Sequence, residues 1–361
     1  MKPLKLKLQL LIVFLFLLKS GQVQAQIEQT YAEKLGFPKG KKVVIFHVDD
    51  CGMSYSSNQG AIKSLENGIA TSCSIMMPCP WAASFINYIQ KNRPNTDAGL
   101  HLTLTSEWKE YRWTPLSGFM NVPGLCDNEG CMWRGVEDVI KNSNPDEIEK
   151  EIRSQVERAL RMGLKPTHLD SHMGTLFAYP PFVEKYIKIG IEYGIPVMFP
   201  GGNNKLLYEC INQPFIKKMK AEGKWVEGMK LPQTSYGLTN MATESKKVGE
   251  RLWNAGLPVL DDLHSISGDW KPEGNPTPEE WGKYKAQKFI ETLKSMKPGV
   301  AMMIVHSSDI TEEFKQISAS GGSRLADMNS MLNPELKAYI ESEGIILTTF
   351  RELMERRKNV K

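Results

Sequence analysis

Two adjacent carboxylates, Asp49 and Asp50, close the β-branched run VVIFHV and precede a Cys-Gly pair. Neighbouring carboxylates repel each other unless a cation neutralises one of them. A divalent ion bound to Asp50 would do so, and Asp49 would then be free to act as a base toward a water on that ion. The alternative is a plain turn, because Asp and Gly both favour turns.

The histidines indicate the same chemistry, because each lies within or just after a strand-like run. Catalytic groups of parallel α/β folds gather at the carboxyl ends of the strands. We therefore expect the histidines to share a site with the acids found at the same ends. The six histidines are His47, His101, His168, His172, His264 and His306, and the acids are Asp49, Asp50, Asp170, Asp261, Asp262 and Asp309.

Residue spacing narrows this set, because side chains two apart on a strand share a face. His168, Asp170 and His172 can therefore line one face. Imidazole nitrogen with carboxylate oxygen suits zinc, or a harder divalent ion when water fills the remaining positions. Three protein ligands with an open position would make the ion catalytic rather than structural.

The elements that must position these residues alternate between strand-like and helix-like stretches. The strand-like runs are 43–48, 72–77, 99–105, 166–170, 195–199, 258–264, 300–306 and 345–350. The helix-like stretches are 57–67, 81–92, 145–162, 181–193, 278–296 and 333–342. This order predicts one α/β domain with a parallel sheet or a closed β/α barrel. Long loops are expected at 106–135, 200–240 and 265–277, and no Gly-rich phosphate loop follows the first strand.

The first residues have the composition of an export signal. Three lysines precede the apolar run from Leu8 to Leu18, and small residues follow at Val23-Gln24-Ala25. We expect residues 1–25 to be a signal peptide, 26–40 a lead-in, and the protein to be periplasmic or extracellular. The alternative is an uncleaved anchor, although the apolar run is short for a bilayer. After cleavage we expect no membrane span.

Charge and cysteine usage exclude one class of partner and leave one pairing open. The chain has 45 Lys+Arg against 41 Asp+Glu, and the four lysines of residues 1–25 account for that excess. The remainder is formally neutral, which argues against nucleic-acid binding. Cys126 and Cys131 lie close enough in sequence to form a disulfide in an oxidising compartment, and free thiols are the alternative.

Several motifs in order resemble the YdjC-like carbohydrate deacetylases. They are HVDDCGMS, GIATSCSIMM, GLHLTLT and KPTHLDSH, followed by GVAMMIVH and a closing SRLADMNSML…ESEGIILTTFREL. The resemblance implies a distorted TIM-type β/α barrel over residues 41–355. It also implies hydrolysis of N-acetyl groups on amino sugars such as chito-oligosaccharides.

By the same resemblance, Asp50, His101 and His172 are the ligands of one divalent ion, either zinc or magnesium. Asp49 is then the general base, and His306, if cationic, gives a proton to the leaving amine. His168 and Asp170 would orient the ligands from outside, although a buried structural role for His168 fits the sequence equally well.

Other residues are expected around the pocket, in the metal surroundings or against the substrate: His47, His264, Trp108 and Trp113. Flat aromatic rings suit the apolar face of a sugar. The family more often has Asn where His47 stands, and Phe where Cys51 stands. Three alternatives remain, namely a metal-dependent phosphoesterase, another amidase and a non-catalytic carbohydrate-binding barrel. A serine hydrolase is disfavoured because no G-x-S-x-G sequence is present.

Overall fold

The computed structural model describes residues 29–226, 229 and 238–360. The strands in these ranges are β1 (Lys42–Cys51), β2 (Ser72–Ile75), β3 (Ala98–Leu102), β4 (Leu169–Ser171), β5 (Asp262–His264), β6 (Gly299–Val305) and β7 (Ile346–Leu347). The helices are α1 (Tyr31–Lys34), α2 (Tyr55–Asn67), α3 (Ala82–Asn92), α4 (Val136–Asn142), α5 (Pro145–Arg161), α6 (Pro180–Tyr193), α7 (Lys205–Ile211), α8 (Gln213–Ala221), α9 (Leu238–Asn254), α10 (Pro278–Ser295), α11 (Glu312–Ile317), α12 (Gly321–Met331), α13 (Pro334–Ser342) and α14 (Phe350–Lys358).

The strands form one parallel sheet in the order β4-β3-β2-β1-β6-β5, and β7 pairs with the start of β1. Strand β1 is central and buried along nearly its whole length. Its continuous apolar run is typical of a parallel strand covered on both faces. The α/β class and the parallel sheet are therefore confirmed.

The sheet curls, and the segment around Pro196 to Pro200 connects its two edges. Val197 makes a single parallel bridge to Leu169 on one edge, and Pro200 makes another to Leu260 beside the other edge. This segment was predicted to be a regular strand. It forms only bridges because its two prolines lack N–H donors and interrupt a ladder. The curled sheet fits a distorted barrel, while eight regular strands are not present in the described residues.

The predicted helices are all found, with ends shifted by at most two residues. Helix α5 begins with a capping box, in which Asn144 and Glu147 bond to each other's backbone amides. The long loop predicted at 200–240 is wrong in its first half, since it contains α7 and α8. The sequence patterns also did not predict α1, α4, α9, α11, α12 or α14.

Three buried aspartates bind the first amides of helices far away in the sequence. Asp97 does so for α14, Asp261 for α1 and Asp262 for α7. The carboxylate of Asp261 accepts from the amides of Tyr31 at 2.8 Å and Ala32 at 3.0 Å. Carboxylates stabilise helix amino ends through these bonds and the helix dipole. Asp261 and Asp262 thus have structural partners rather than the shared site expected of them.

The predicted signal peptide, residues 1–25, lies outside the described residues, so its prediction stays a prediction. Within the predicted lead-in, α1 packs onto the domain through Asp261. No helix in the described ranges is long and apolar enough to cross a bilayer.

Candidate metal centre

A β-bulge at the end of β1 aims two consecutive carboxylates into one site. The register of β1 with β2 shifts between Val48 and Cys51, and Asp50 has a left-handed φ of 63°. Alternation along a regular strand would send neighbouring side chains to opposite faces. The extra residue of the bulge re-aims Asp50, as bulges beside functional sites commonly do. Backbone strain of this kind persists only where its surroundings hold it.

Asp50, His101 and His172 converge at the carboxyl ends of β1, β3 and β4. Oδ1 of Asp50 lies 3.3 Å from Nε2 of His101 and 3.3 Å from Nδ1 of His172. All three side chains are buried, and their ligand atoms form one of the clusters able to hold a metal ion. Bonds of about 2.0 Å in a tetrahedral site place ligand atoms roughly 3.3 Å apart.

The outer partners of the two histidines leave a lone pair of each facing Asp50. Nδ1 of His101 lies 2.7 Å from Oδ1 of Asp170, and Nε2 of His172 lies 3.1 Å from each oxygen of Glu107. Carboxylates are acceptors, so these nitrogens carry protons, and in the neutral form of each ring the opposite nitrogen presents a lone pair. Oδ1 of Asp50, itself buried, has no hydrogen-bond partner. With both rings neutral, three acceptor atoms face one another, and a cation between them would satisfy all three, so the residues fit a metal ion.

The charge of the site calls for a divalent ion. Four carboxylates surround it, those of Asp49, Asp50, Glu107 and Asp170, and each side chain is less than a fifth exposed. Arg324 opposes them through Nη1, which lies 2.6 Å from Oδ2 of Asp50. Buried charges must be compensated, and one arginine leaves a large negative excess.

The electrostatic field of these charged groups also shifts the pKa values of the three proposed ligands. Burial opposes it, yet Arg324 and the two histidines hold the pKa of Asp50 well below its usual range. Burial likewise disfavours imidazolium, but Glu107 and Asp50 raise the pKa of His172 to about 9, and Asp49 and Asp170 raise that of His101. A field that attracts a proton to these nitrogens attracts a metal ion equally.

Asp49 lies beside the triad of Asp50, His101 and His172, with one carboxylate oxygen turned toward these three residues. Oδ2 of Asp49 is 3.7 Å from Nε2 of His101 and 3.8 Å from Nε2 of His306. The His306 side chain is 28% exposed, so it faces the opening of the site. Burial lowers its pKa against the opposing charge of Asp50, so the ring is neutral at pH 7. The acid role of His306, which was conditional on a cationic ring, therefore requires that the ring be protonated first.

Helix α12 supplies two contacts to the site. Besides Arg324 it carries Asp327, whose Oδ2 accepts from the backbone amide of His306 at 2.9 Å. The other oxygen of Asp327 pairs with Nζ of Lys285 at 2.7 Å, and both side chains are buried. The ion pair anchors α12 to α10 behind His306.

Sequence reasoning missed Arg324 and Glu107. Arg324 lies within the quoted SRLADMNSML stretch, but nothing in the sequence alone links it to Asp50. Glu107 follows the strand of His101 by five residues, and that position after a strand end was an available signal.

Of the residues expected to surround the metal ligands, some contact the ligands or Asp49 and others do not. Asp170 lies between two histidines, bonding His101 through one oxygen and lying 2.9 Å from Nε2 of His47 through the other. His168 instead stacks on Phe350, with ring centroids 4.1 Å apart, which favours the structural alternative. Its ring occupies the space where a side chain on Gly99 would begin.

His264 does not join the cluster. Its ring packs against Trp270 at 4.8 Å and Phe289 at 6.1 Å, along a separate cavity of about 380 Å³. Side chains two apart on a strand share a face, and His264 follows Asp262, whose carboxylate binds α7. His264 therefore faces α7 and not the metal centre. The expectation that all six histidines share one site is wrong for this residue.

The two tryptophans expected against the substrate lie near His172, although Trp113 is buried in the core, so their contact with a sugar stays a prediction. Trp113 lies 6.4 Å from His172 between ring centroids, and Trp108 lies 5.5 Å from Trp113. The guanidinium of Arg324 lies 5.8 Å from the Trp108 ring. Cys126 and Cys131 are free thiols in the structure.

Comparisons with known proteins point to one family. A family model described as YdjC-like protein matches residues 43–342. A carbohydrate deacetylase of Brevibacillus brevis is 34% identical over 311 residues, covering 86% of this chain and 99% of its own length. Another from Thermoanaerobacter pseudethanolicus is 30% identical over 310 residues, covering 86% and 98%.

A solved structure has the same fold. It is a protein of Enterococcus faecalis V583, matched with a TM-score of 0.64 at 18% sequence identity. The match covers 87% of this chain and 99% of that one. At this identity the likeness concerns the fold alone.

Proposed function

Because the chain belongs to the YdjC-like protein family, we propose that it is a carbohydrate deacetylase, a hydrolase that removes N-acetyl groups from amino sugars. Chito-oligosaccharides are the substrate class we propose first. The observation that carries the proposal is the convergence of Asp50, His101 and His172 beside Asp49. The names of the two relatives above support it.

The ligand geometry favours zinc over magnesium. Two nitrogens and one oxygen suit zinc, and the 3.3 Å separations match a tetrahedral site. Magnesium prefers oxygen ligands in an octahedron, which would bring neighbouring ligand atoms closer. When bound, such an ion polarises a carbonyl and makes a water more acidic.

The chain's own residues would handle the protons. Oδ2 of Asp49 faces the opening of the ligand set and accepts a proton from the attacking water. Nε2 of neutral His306 lies 3.8 Å from Oδ2 of Asp49, so it can take up the proton that Asp49 has accepted and then act as the acid. It then gives that proton to the sugar nitrogen as the acetyl C–N bond breaks, leaving acetate and a free amine.

Acetate release tests the proposal. We expect purified protein to release acetate from N-acetylated chito-oligosaccharides, to lose this activity on chelation, and to regain it with zinc. Magnesium, manganese and cobalt are assayed alongside. Phosphate release from sugar phosphates would favour a phosphoesterase. Sugar binding without acetate release under any metal would favour a non-catalytic binding barrel.

Export stays part of the proposal. The leader of residues 1–25 supports a periplasmic or extracellular enzyme. Mass spectrometry of the protein recovered from its native host should give a chain that starts at Gln26. Recovery of the chain with its leader intact would favour the membrane anchor.

A further inference from the structure

His47 lies behind Asp49, where one nitrogen meets two acidic residues. Its Nε2 lies 2.9 Å from Oδ2 of Asp170 and 3.2 Å from Oδ1 of Asp49. The ring is fully buried. Both oxygens are acceptors, so this nitrogen must carry a proton. Without it, three lone pairs would meet in a space from which water is excluded.

The other ring nitrogen of His47, Nδ1, has a hydrogen-bond acceptor available if it carries a second proton. Nδ1 lies 2.9 Å from Oγ of Ser72, and that hydroxyl can donate onward to the carbonyl oxygen of Asp97 at 3.4 Å. Ser74 lies 3.0 Å from Nε2, and its hydroxyl can accept as well as donate. Each neighbour of the ring is therefore able to accept a hydrogen bond from a ring N–H.

The net negative charge around the metal ligands favours a cationic His47 ring. The four buried carboxylates of the site are opposed by Arg324 and by a divalent ion. One negative charge then remains, and His47 contacts two of the four carboxylates from outside the proposed ligand set. The neighbouring His168 ring, with its centroid 4.9 Å away, has a pKa lowered to about 4 by burial and by His47, so it is neutral at pH 7.

We propose that His47 is a buried imidazolium that holds Asp49 through Oδ1 and thereby assigns Oδ2 as the oxygen that accepts the proton. His47 is thus a positioning residue, since it contacts the base and not the substrate. His47 also contacts Asp170, the carboxylate that orients His101, and so connects Asp170 to the base. The role of Asp49 as base rests on the proposed function, whereas the charge of His47 rests on the surrounding carboxylates and the bound ion and not on the reaction.

Nitrogen NMR of histidine-labelled, zinc-loaded protein tests the charge directly. We expect both ring nitrogens of His47 to carry exchange-protected protons at pH 7. An unprotonated Nδ1 would overturn the proposal, because the ring would then be a neutral tautomer. The signal is assigned by its loss in His47→Gln, and His264→Gln removes another buried histidine as a matched control. Should His47→Gln fail to fold, Ser72→Ala assigns the signal by moving the Nδ1 resonance.

Kinetics test the positioning role. Glutamine at position 47 keeps an N–H donor but not the charge, so kcat for acetate release should fall about 10-fold to 100-fold, with KM and zinc content unchanged. His264→Gln should stay within twofold of the parent enzyme. An unchanged kcat in His47→Gln would refute the positioning role. If the parent protein releases no acetate, the proposed function fails while the NMR result still decides the charge.

Discussion

At the scale of residues, two neighbouring aspartates have different environments and hence different roles. Asp50 pairs with Arg324 and faces one ring nitrogen of each of two histidines, which suits a ligand. Asp49 has one oxygen toward His47 and the other toward the opening, which suits a base. Their types and their position after a strand were enough to predict that they act together.

Replacing Asp49 with Asn should separate these roles. Asparagine keeps the size of the side chain but cannot accept the proton, so kcat should fall about 10²-fold to 10⁴-fold. Bound zinc, measured by elemental analysis, should remain at the parent level. A rate close to that of the parent would remove Asp49 as the base.

Replacing Glu107 with Gln should weaken metal binding. The amide no longer draws the proton to Nε2 of His172, so the tautomer that leaves Nδ1 bare is less favoured. Loss of such an outer partner typically costs 10-fold to 100-fold in metal affinity. Competition with a fluorescent zinc chelator measures it. Glu110→Gln, on an exposed neighbouring residue, is the control, and equal affinities in the two variants would contradict the role of Glu107.

At the scale of elements, what the sequence predicted depended on how local the signal was. Continuous apolar runs located β1 and β6, and amphipathic periodicity located α5 and α10, each within a few residues. The bulge that turns Asp50 inward leaves no such periodic signal. Helix α12 brings Arg324 to a strand 274 residues earlier, and only the packed sheet creates that contact.

The buried pair of Lys285 and Asp327 should govern the docking of α12. In Lys285→Met, Asp327 keeps its charge but loses its partner, and breaking a buried pair in this way costs about 3 kcal/mol or more of unfolding free energy. Urea unfolding measures it. Lys288→Met, on a half-exposed pair of the same helix, should change stability by less than about 1 kcal/mol. Adding Asp327→Asn to Lys285→Met should restore part of the loss, and a further loss instead would contradict the charge argument.

At the scale of the whole molecule, the fold keeps at least one histidine neutral far from the metal centre. Burial lowers the pKa of His264 to about 4 from its ordinary 6.5. Its folded-state value is depressed, so its contribution to stability is complete above pH 6.5 and is lost as the pH falls toward 4.

His264→Gln should therefore reduce the acid sensitivity of folding. Between pH 7 and pH 4.5 the parent protein should lose roughly 2 to 3 kcal/mol more unfolding free energy than the variant. Urea unfolding of both proteins with chelator present measures this without a contribution from metal loss. Parallel pH profiles would show that His264 does not titrate as its burial requires.

The contact between α1 and Asp261 has a consequence for the order of folding. The amide of Tyr31 donates to the carboxylate of Asp261, which lies 230 residues further along the chain. At 5–20 residues per second, the ribosome needs roughly 10 to 45 s to add that length. Helix α1 is thus among the first segments synthesised and among the last to dock, and a four-residue helix is too short to hold its shape alone meanwhile.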